Sequence, residues 1–127
     1  IPMISPAMFD RFVAPALKEQ CDWLDNSLFH LDGHQCICHL DSLLAIENLD
    51  AIEWTPDPQA PDGGDPHWYP MYRKILAAGK SLQIVSIAPR QIIPLLDAVG
   101  GKGVYILTGF HNRAEAEEIV QKAEQYR

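Results

Sequence analysis

Phe29-His30-Leu31-Asp32-Gly33 decides how this chain is read. A short apolar run, Leu28 to Leu31, ends in a His-x-Asp pair and then a glycine. Residues two apart on a strand project from the same face, so the imidazole of His30 and the carboxylate of Asp32 stand together. Gly33 allows the backbone to turn away sharply after them. An imidazole beside a carboxylate at the C-terminal end of a strand is the strongest chemical feature of the sequence.

Working outward, the segment before this strand reads as a helix. Ser5-Pro6 is an N-cap followed by proline in the first turn. Phe9, Phe12, Val13, Ala16, Leu17, Cys21 and Leu24 then recur at spacings of three and four, which predicts one buried stripe. Pro15 inside it should kink or split the helix. After Gly33, Ile37, Leu40, Leu43 and Leu44 keep helical spacing over roughly 35–46, and 49–54 reads as a second strand. A Pro/Gly-rich connection covers 55–65, and Asp65-Pro66 repeats the cap-and-proline signal before the face Trp68, Met71, Tyr72, Ile75 and Leu76. Gly79 fits a left-handed helix end. A third strand over 82–87 precedes a helix stripe of Ile92, Leu95, Leu96 and Val99, with Pro94 expected in its first turn and Gly100-Gly101 stopping it. A fourth strand covers 104–107, Asn112 and Glu115 have the spacing of a capping box, and the last helix should bury Ala116, Ile119, Val120 and Ala123.

The order is therefore a leading helix followed by four strand–helix units. Continuous, β-branched strands suit a parallel sheet covered by helices on at least one face. The chain has 127 residues, a one-domain length, and 47% of them are apolar, enough for a core. A formal charge of −7 argues against nucleic acid and against anionic membrane surfaces. No apolar run is long enough to span a bilayer, and the Ile1-Pro2-Met3-Ile4 start lacks the features of a leader peptide. Cys21, Cys36 and Cys38 do not make a disulfide framework, so a cytoplasmic protein with reduced thiols is expected.

A (β/α)8 barrel uses about 250 residues, roughly 31 per unit, so four units need about half of that. Strand starts near Leu28, Leu49, Leu82 and Val104 keep this pace. An open doubly wound sheet fits the same pattern, and periodicity does not separate the two. A resemblance does. Ser5-Pro6-Ala7-Met8-Phe9 with Val13-Ala14-Pro15 resembles the helix before the fifth strand in the uroporphyrinogen decarboxylase superfamily, which includes the corrinoid-dependent methyltransferases. Phe29-His30-Leu31-Asp32-Gly33 falls at that family's His-x-Cys-Gly strand end. Leu49-Asp50-Ala51-Ile52-Glu53-Trp54, Tyr72-Arg73-Lys74-Ile75 and Thr108-Gly109 follow in the family's order. The resemblance spans nearly the whole chain and implies the C-terminal half of the family barrel: a half TIM barrel of parallel strands in a single domain, 1–127. Its two raw edges and open inner face imply self-association into a homo-oligomer.

The resemblance implies methyl transfer or tetrapyrrole-linked chemistry, with a corrinoid, a tetrapyrrole or another small anionic molecule as ligand. The equivalent His and Cys of the methyltransferases hold a thiol-activating zinc, which would make His30 and Asp32 the metal ligands here. Asp32 stands where that cysteine would be, and Thr108 where a further one would be. Decarboxylation by this chain alone is not expected, because the family's arginine-rich substrate contacts belong to the other half. Independently of the resemblance, Glu53 near the second strand end is a third candidate for acid–base or metal work beside His30 and Asp32. Arg90 and Gly109 lie in the loops that the resemblance makes those after strands seven and eight of the barrel, which implies them as candidate anion contacts. Cys36-Ile37-Cys38-His39 with His34 has ligand-type residues, but its cysteine spacing is tighter than zinc sites favour. The 56–65 loop is long enough for a lid, and Trp54, His67, Trp68 and Tyr69 around it could wall a pocket or fill the core. The alternative is a non-catalytic half barrel that binds a small molecule or serves assembly.

Overall fold

Four strands, β1 (Leu28–Asp32), β2 (Ala51–Thr55), β3 (Ser81–Ile87) and β4 (Val104–Thr108), form one parallel sheet in the order β1-β2-β3-β4 in the computed structural model, which describes residues 3–127. Ile1 and Pro2, where the leader-peptide reading begins, lie outside the described residues. The crossovers are short 310 turns and helices: α3 (Leu40–Leu44), α4 (Tyr69–Ala77) and α5 (Pro89–Val99), with α6 (Arg113–Ala123) closing the chain. The expected α/β half barrel is the observed architecture: a leading helix, then four parallel strand–helix units.

Alternation along the strands shows where the core sits. Ile52 and Trp54 of β2, Leu31 of β1, and Leu82 and Ile84 of β3 are fully buried, on the face covered by the helices. Their neighbours His30, Glu53, Thr55 and Gln83 point the other way and are exposed or half-buried. Among the described residues, the helices thus cover one face and leave the second face of the sheet open. Ile84 and Ile87, three apart, are both buried because the register shifts between them, and Ser86 takes a left-handed φ of 57° there.

The leading helix departs from its expected stripe. It begins with α1 (Pro6–Met8), capped by the Ser5 hydroxyl as expected, and passes through a π-turn at Phe9–Val13 into α2 (Ala14–Trp23). The Ala14 N–H donates to the Phe9 carbonyl, five residues back. That extra residue rotates the two halves by about one residue's 100°. Phe9 and Cys21 are buried, while Phe12, Ala16 and Leu24 are exposed.

Other local expectations need correcting. The segment after β1 starts as a 310 helix, His34–His39, before α3. Pro94 lies in the second turn of α5, because Pro89 already occupies the first; Pro94 is exposed, so its ring meets water. α6 buries none of its residues fully, and Val120 is exposed, because β4 beneath it is a sheet edge. Glu115 receives the N–H of His111 instead of Asn112, closing the cap one residue earlier than a capping box. Gly79 has the expected left-handed φ, 78°.

Two polar locks hold the layers together. Lys80 is buried and its Nζ donates to the carbonyls of Ile46 (2.8 Å) and Glu47 (2.9 Å), just beyond α3. These carbonyls follow a helix end, where such groups lack intrahelical partners. The 56–65 loop is fastened in the same way. Tyr72 donates to the Gly63 carbonyl (2.6 Å), Tyr69 to that of Gly64 (3.2 Å), and the Trp68 indole to that of Pro61 (3.1 Å). Burial raises the Tyr72 phenol far above its usual pKa, so it stays a donor. Gly63 is required there: a Cβ would lie 2.1 Å from the Val85 carbonyl oxygen.

Candidate functional site

Parallel register sets the site. His30 pairs with Glu53, Glu53 with Gln83, and Gln83 with Tyr105, so these four form one row across the open face. The next row toward the strand ends contains Asp32 beside Thr55. The imidazole Nε2 of His30 lies 3.0 Å from Thr55 Oγ1 and 3.6 Å from Glu53 Oε1. Thr55 donates to Glu53 Oε1 at 3.4 Å, and the Gln83 amide donates to the other Glu53 oxygen.

A threonine hydroxyl has one proton; where it goes to Glu53, Oγ1 accepts from His30 Nε2–H, and a neutral His30 keeps its lone pair on Nδ1. A histidine oriented by a hydroxyl and a half-buried carboxylate is a group able to take and return a proton. His30 and Asp32 share the open face, as expected, but His30 bonds to Thr55 of β2 and not to Asp32.

Around this row the mouth is acidic. Asp57, in the loop after β2, accepts the His34 backbone N–H (2.8 Å) and lies 2.7 Å from its ring Nδ1. The backbone hydrogen bond from His34, followed by that of its side chain, holds the Asp57 carboxyl below its usual range. Gly33 makes this closure fit: its φ is 79°, and a Cβ would lie 2.7 Å from an Asp57 oxygen. Asp32 and Asp57 thus stand at the C-terminal ends of the first two strands, with the Glu53 carboxylate behind them midway along β2.

The remaining candidates lie elsewhere. Arg90, in the first turn of α5, lines a groove on the helical layer with Glu115, Glu118 and Lys122. Gly109 follows β4 and is exposed; a Cβ added there would meet nothing within 4 Å. The turn His34–His39 spreads its ligand-type side chains: Cys36 and His39 are buried while Cys38 and His34 are exposed. Burial pushes the Cys36 thiol up, away from a reactive thiolate. Among the described residues, no three His, Cys, Asp or Glu side chains are grouped to hold a metal ion. Beneath the 56–65 loop, Trp54, Trp68, Tyr69 and Tyr72 are all buried and fill the space themselves.

The sequence reading missed Thr55 and Gln83. Both had a signal: Thr55 is two residues beyond Glu53, and Gln83 is the polar residue inside the apolar start of β3. Comparison of the chain with protein-family models, curated proteins and solved structures returned no match. Among the described residues, no helix is long and apolar enough to cross a membrane.

Proposed function

We propose that the chain is a half-barrel domain of the uroporphyrinogen decarboxylase and corrinoid methyltransferase type, whose open face binds a corrinoid or tetrapyrrole and whose His30 moves a proton at that ligand. The observation that carries this reading is the row His30–Thr55–Glu53–Gln83 on the uncovered face. In parallel α/β sheets, ligands bind beyond the strand C-termini; Asp32 and Thr55 end their strands there, and His30, Glu53 and Gln83 lie behind them on the same face, midway along β1 and β2 and near the start of β3. Glu53 orients the base through Thr55, and Asp32 stands next to it as an acceptor. Three carboxylates favour a ligand that offers N–H donors or a cationic centre, which sets a cobalamin ahead of the polycarboxylate uroporphyrin. The anion contact expected of Arg90 would form apart from this row, in a groove that Glu115, Glu118 and Lys122 also line.

A second reading is favoured by the same open face: a non-catalytic binding module that works only when another half covers it. Titration with hydroxocobalamin and with uroporphyrin, followed by visible absorbance, separates the two. Catalytic binding gives a saturable band shift that weakens at least tenfold in His30→Ala, with the melting temperature unchanged. Unshifted bands with both ligands reject the ligand class. A shift retained in His30→Ala favours the module.

A further inference from the structure

The two edge strands of the sheet are β1 and β4, each five residues long. Each leaves one row of backbone N–H and C=O groups without a sheet partner. Edge strands are usually blunted by proline, lysine or a bulge. Leu28-Phe29-His30-Leu31-Asp32 and Val104-Tyr105-Ile106-Leu107-Thr108 contain neither proline nor lysine, Asp32 at the end of β1 is their one carboxylate, and the register shift in the β3–β4 pair has its extra residue on β3, leaving the outer edge of β4 regular.

Apolar exposure on the open face follows the same division. Leu28 is 48% exposed, Tyr105 59% and Leu107 43%, and all three sit on the edge strands. The central strands show Glu53, Thr55 and Gln83 on that face. A partner lying flat on the sheet would need apolar side chains at its centre, as interface cores do. Apolar seams flanking a polar centre suit a partner that pairs along both edges and leaves an interior behind.

We propose that two copies of this chain associate about a two-fold axis along the strands, β1 of each pairing in parallel with β4 of the other, to close an eight-stranded barrel. One rotation about that axis keeps every strand parallel and supplies both edges at once. It also closes at two copies, so no filament grows. Leu28 of one copy meets the Tyr105 and Leu107 strand of the other at each seam. The candidate site is completed at the same step, because His30 lies on β1 and gains the other copy's β4 as a wall. Each copy carries −7, so association tightens as salt is added. The inference rests on the half-barrel reading above but not on its ligand.

Sedimentation velocity of the purified chain tests it. The expected result is one species at twice the 14.2 kDa chain mass. Leu107→Lys should shift it to monomer, with Tyr105→Lys as a second, more exposed variant should the first fail to fold by circular dichroism. Phe12→Lys and Trp23→Lys, on the exposed side of the leading helix, should leave the dimer intact. A monomeric wild type, a ladder of larger species, or a dimer broken by Phe12→Lys but not by the β4 variants overturns the closure. A dimer that leaves the hydroxocobalamin and uroporphyrin bands unshifted keeps the closure and rejects the ligand, and a monomer that shifts either set does the reverse.

Discussion

Replacing His39 by phenylalanine should make the protein more stable. His39 is fully buried, and among the described residues neither ring nitrogen has a hydrogen-bond partner. Its ring stacks on Phe9, with centroids 4.5 Å apart and planes 18° apart. A neutral imidazole has one donor and one acceptor nitrogen, and each such group left unmatched in a core costs about 1–3 kcal/mol. Phenylalanine removes both while keeping the stacked ring. Its larger volume costs part of this gain, since overpacking takes about 1–3 kcal/mol. The expected net is a stabilisation of about 1–2 kcal/mol, a rise of about 4–8 °C in melting temperature for a chain of this size. Urea denaturation at one fixed protein concentration is the assay: the midpoint should rise with an unchanged slope. His39→Leu, which loses the stack, should gain less. Midpoints that stay or fall in both His39→Phe and the smaller His39→Leu would refute the reasoning, because overpacking could not account for both.

Other expectations concern the locks that hold the site. Tyr72→Phe leaves the Gly63 carbonyl without its phenol and should cost about 1–3 kcal/mol, read as a lower urea midpoint and faster proteolysis within 56–65. An unchanged midpoint would mean that the loop is held by its backbone alone. Lys80→Met removes two hydrogen bonds beyond α3 and should cost about 2–3 kcal/mol, with faster amide exchange in residues 40–49; uniform exchange changes would contradict the lock. The Asp57–His34 closure should open in acid. Because the folded Asp57 carboxyl is depressed, its contribution is complete above the ordinary carboxylate value of about 3.9 and is lost as pH falls through the lower folded value. The Asp57 carboxyl carbon signal should therefore titrate with its midpoint below the ordinary carboxylate value of about 3.9, and Asp57→Asn should remove that titration. A midpoint above the ordinary value would contradict the geometry.

Features set by neighbouring residues are legible in the amino-acid sequence itself. Ser5-Pro6, Asp65-Pro66 and Gly79 act within one turn of chain, and each does what its type dictates: the Ser5 and Asp65 side chains accept from backbone N–H groups, and Gly79 takes a positive φ. The four strands are legible because apolar runs bounded by turn residues have few other uses. The phase of the leading helix is not, because the π-turn at Phe9–Val13 inserts a residue that no spacing rule registers. His30, Asp32 and Glu53 can be placed on strands from their positions in the chain, though only Asp32 ends one. Their bonding partners cannot, since Thr55 and Gln83 are set by strand register, which depends on how each crossover packs. Arg90 shows the same limit. It does follow β3, while its direction depends on α6, whose Glu115 and Glu118 share its groove.

The central claim is that the open face, through His30, meets the ligand. Imidazole signals of the chain, with His30 assigned through His30→Gln, can be followed by NMR during addition of hydroxocobalamin or uroporphyrin. The expected result is a saturable movement of the His30 signal, while those of His67 and His111, away from the row, stay in place. A His30 signal that does not move, or movement confined to His67 or His111, would contradict the account.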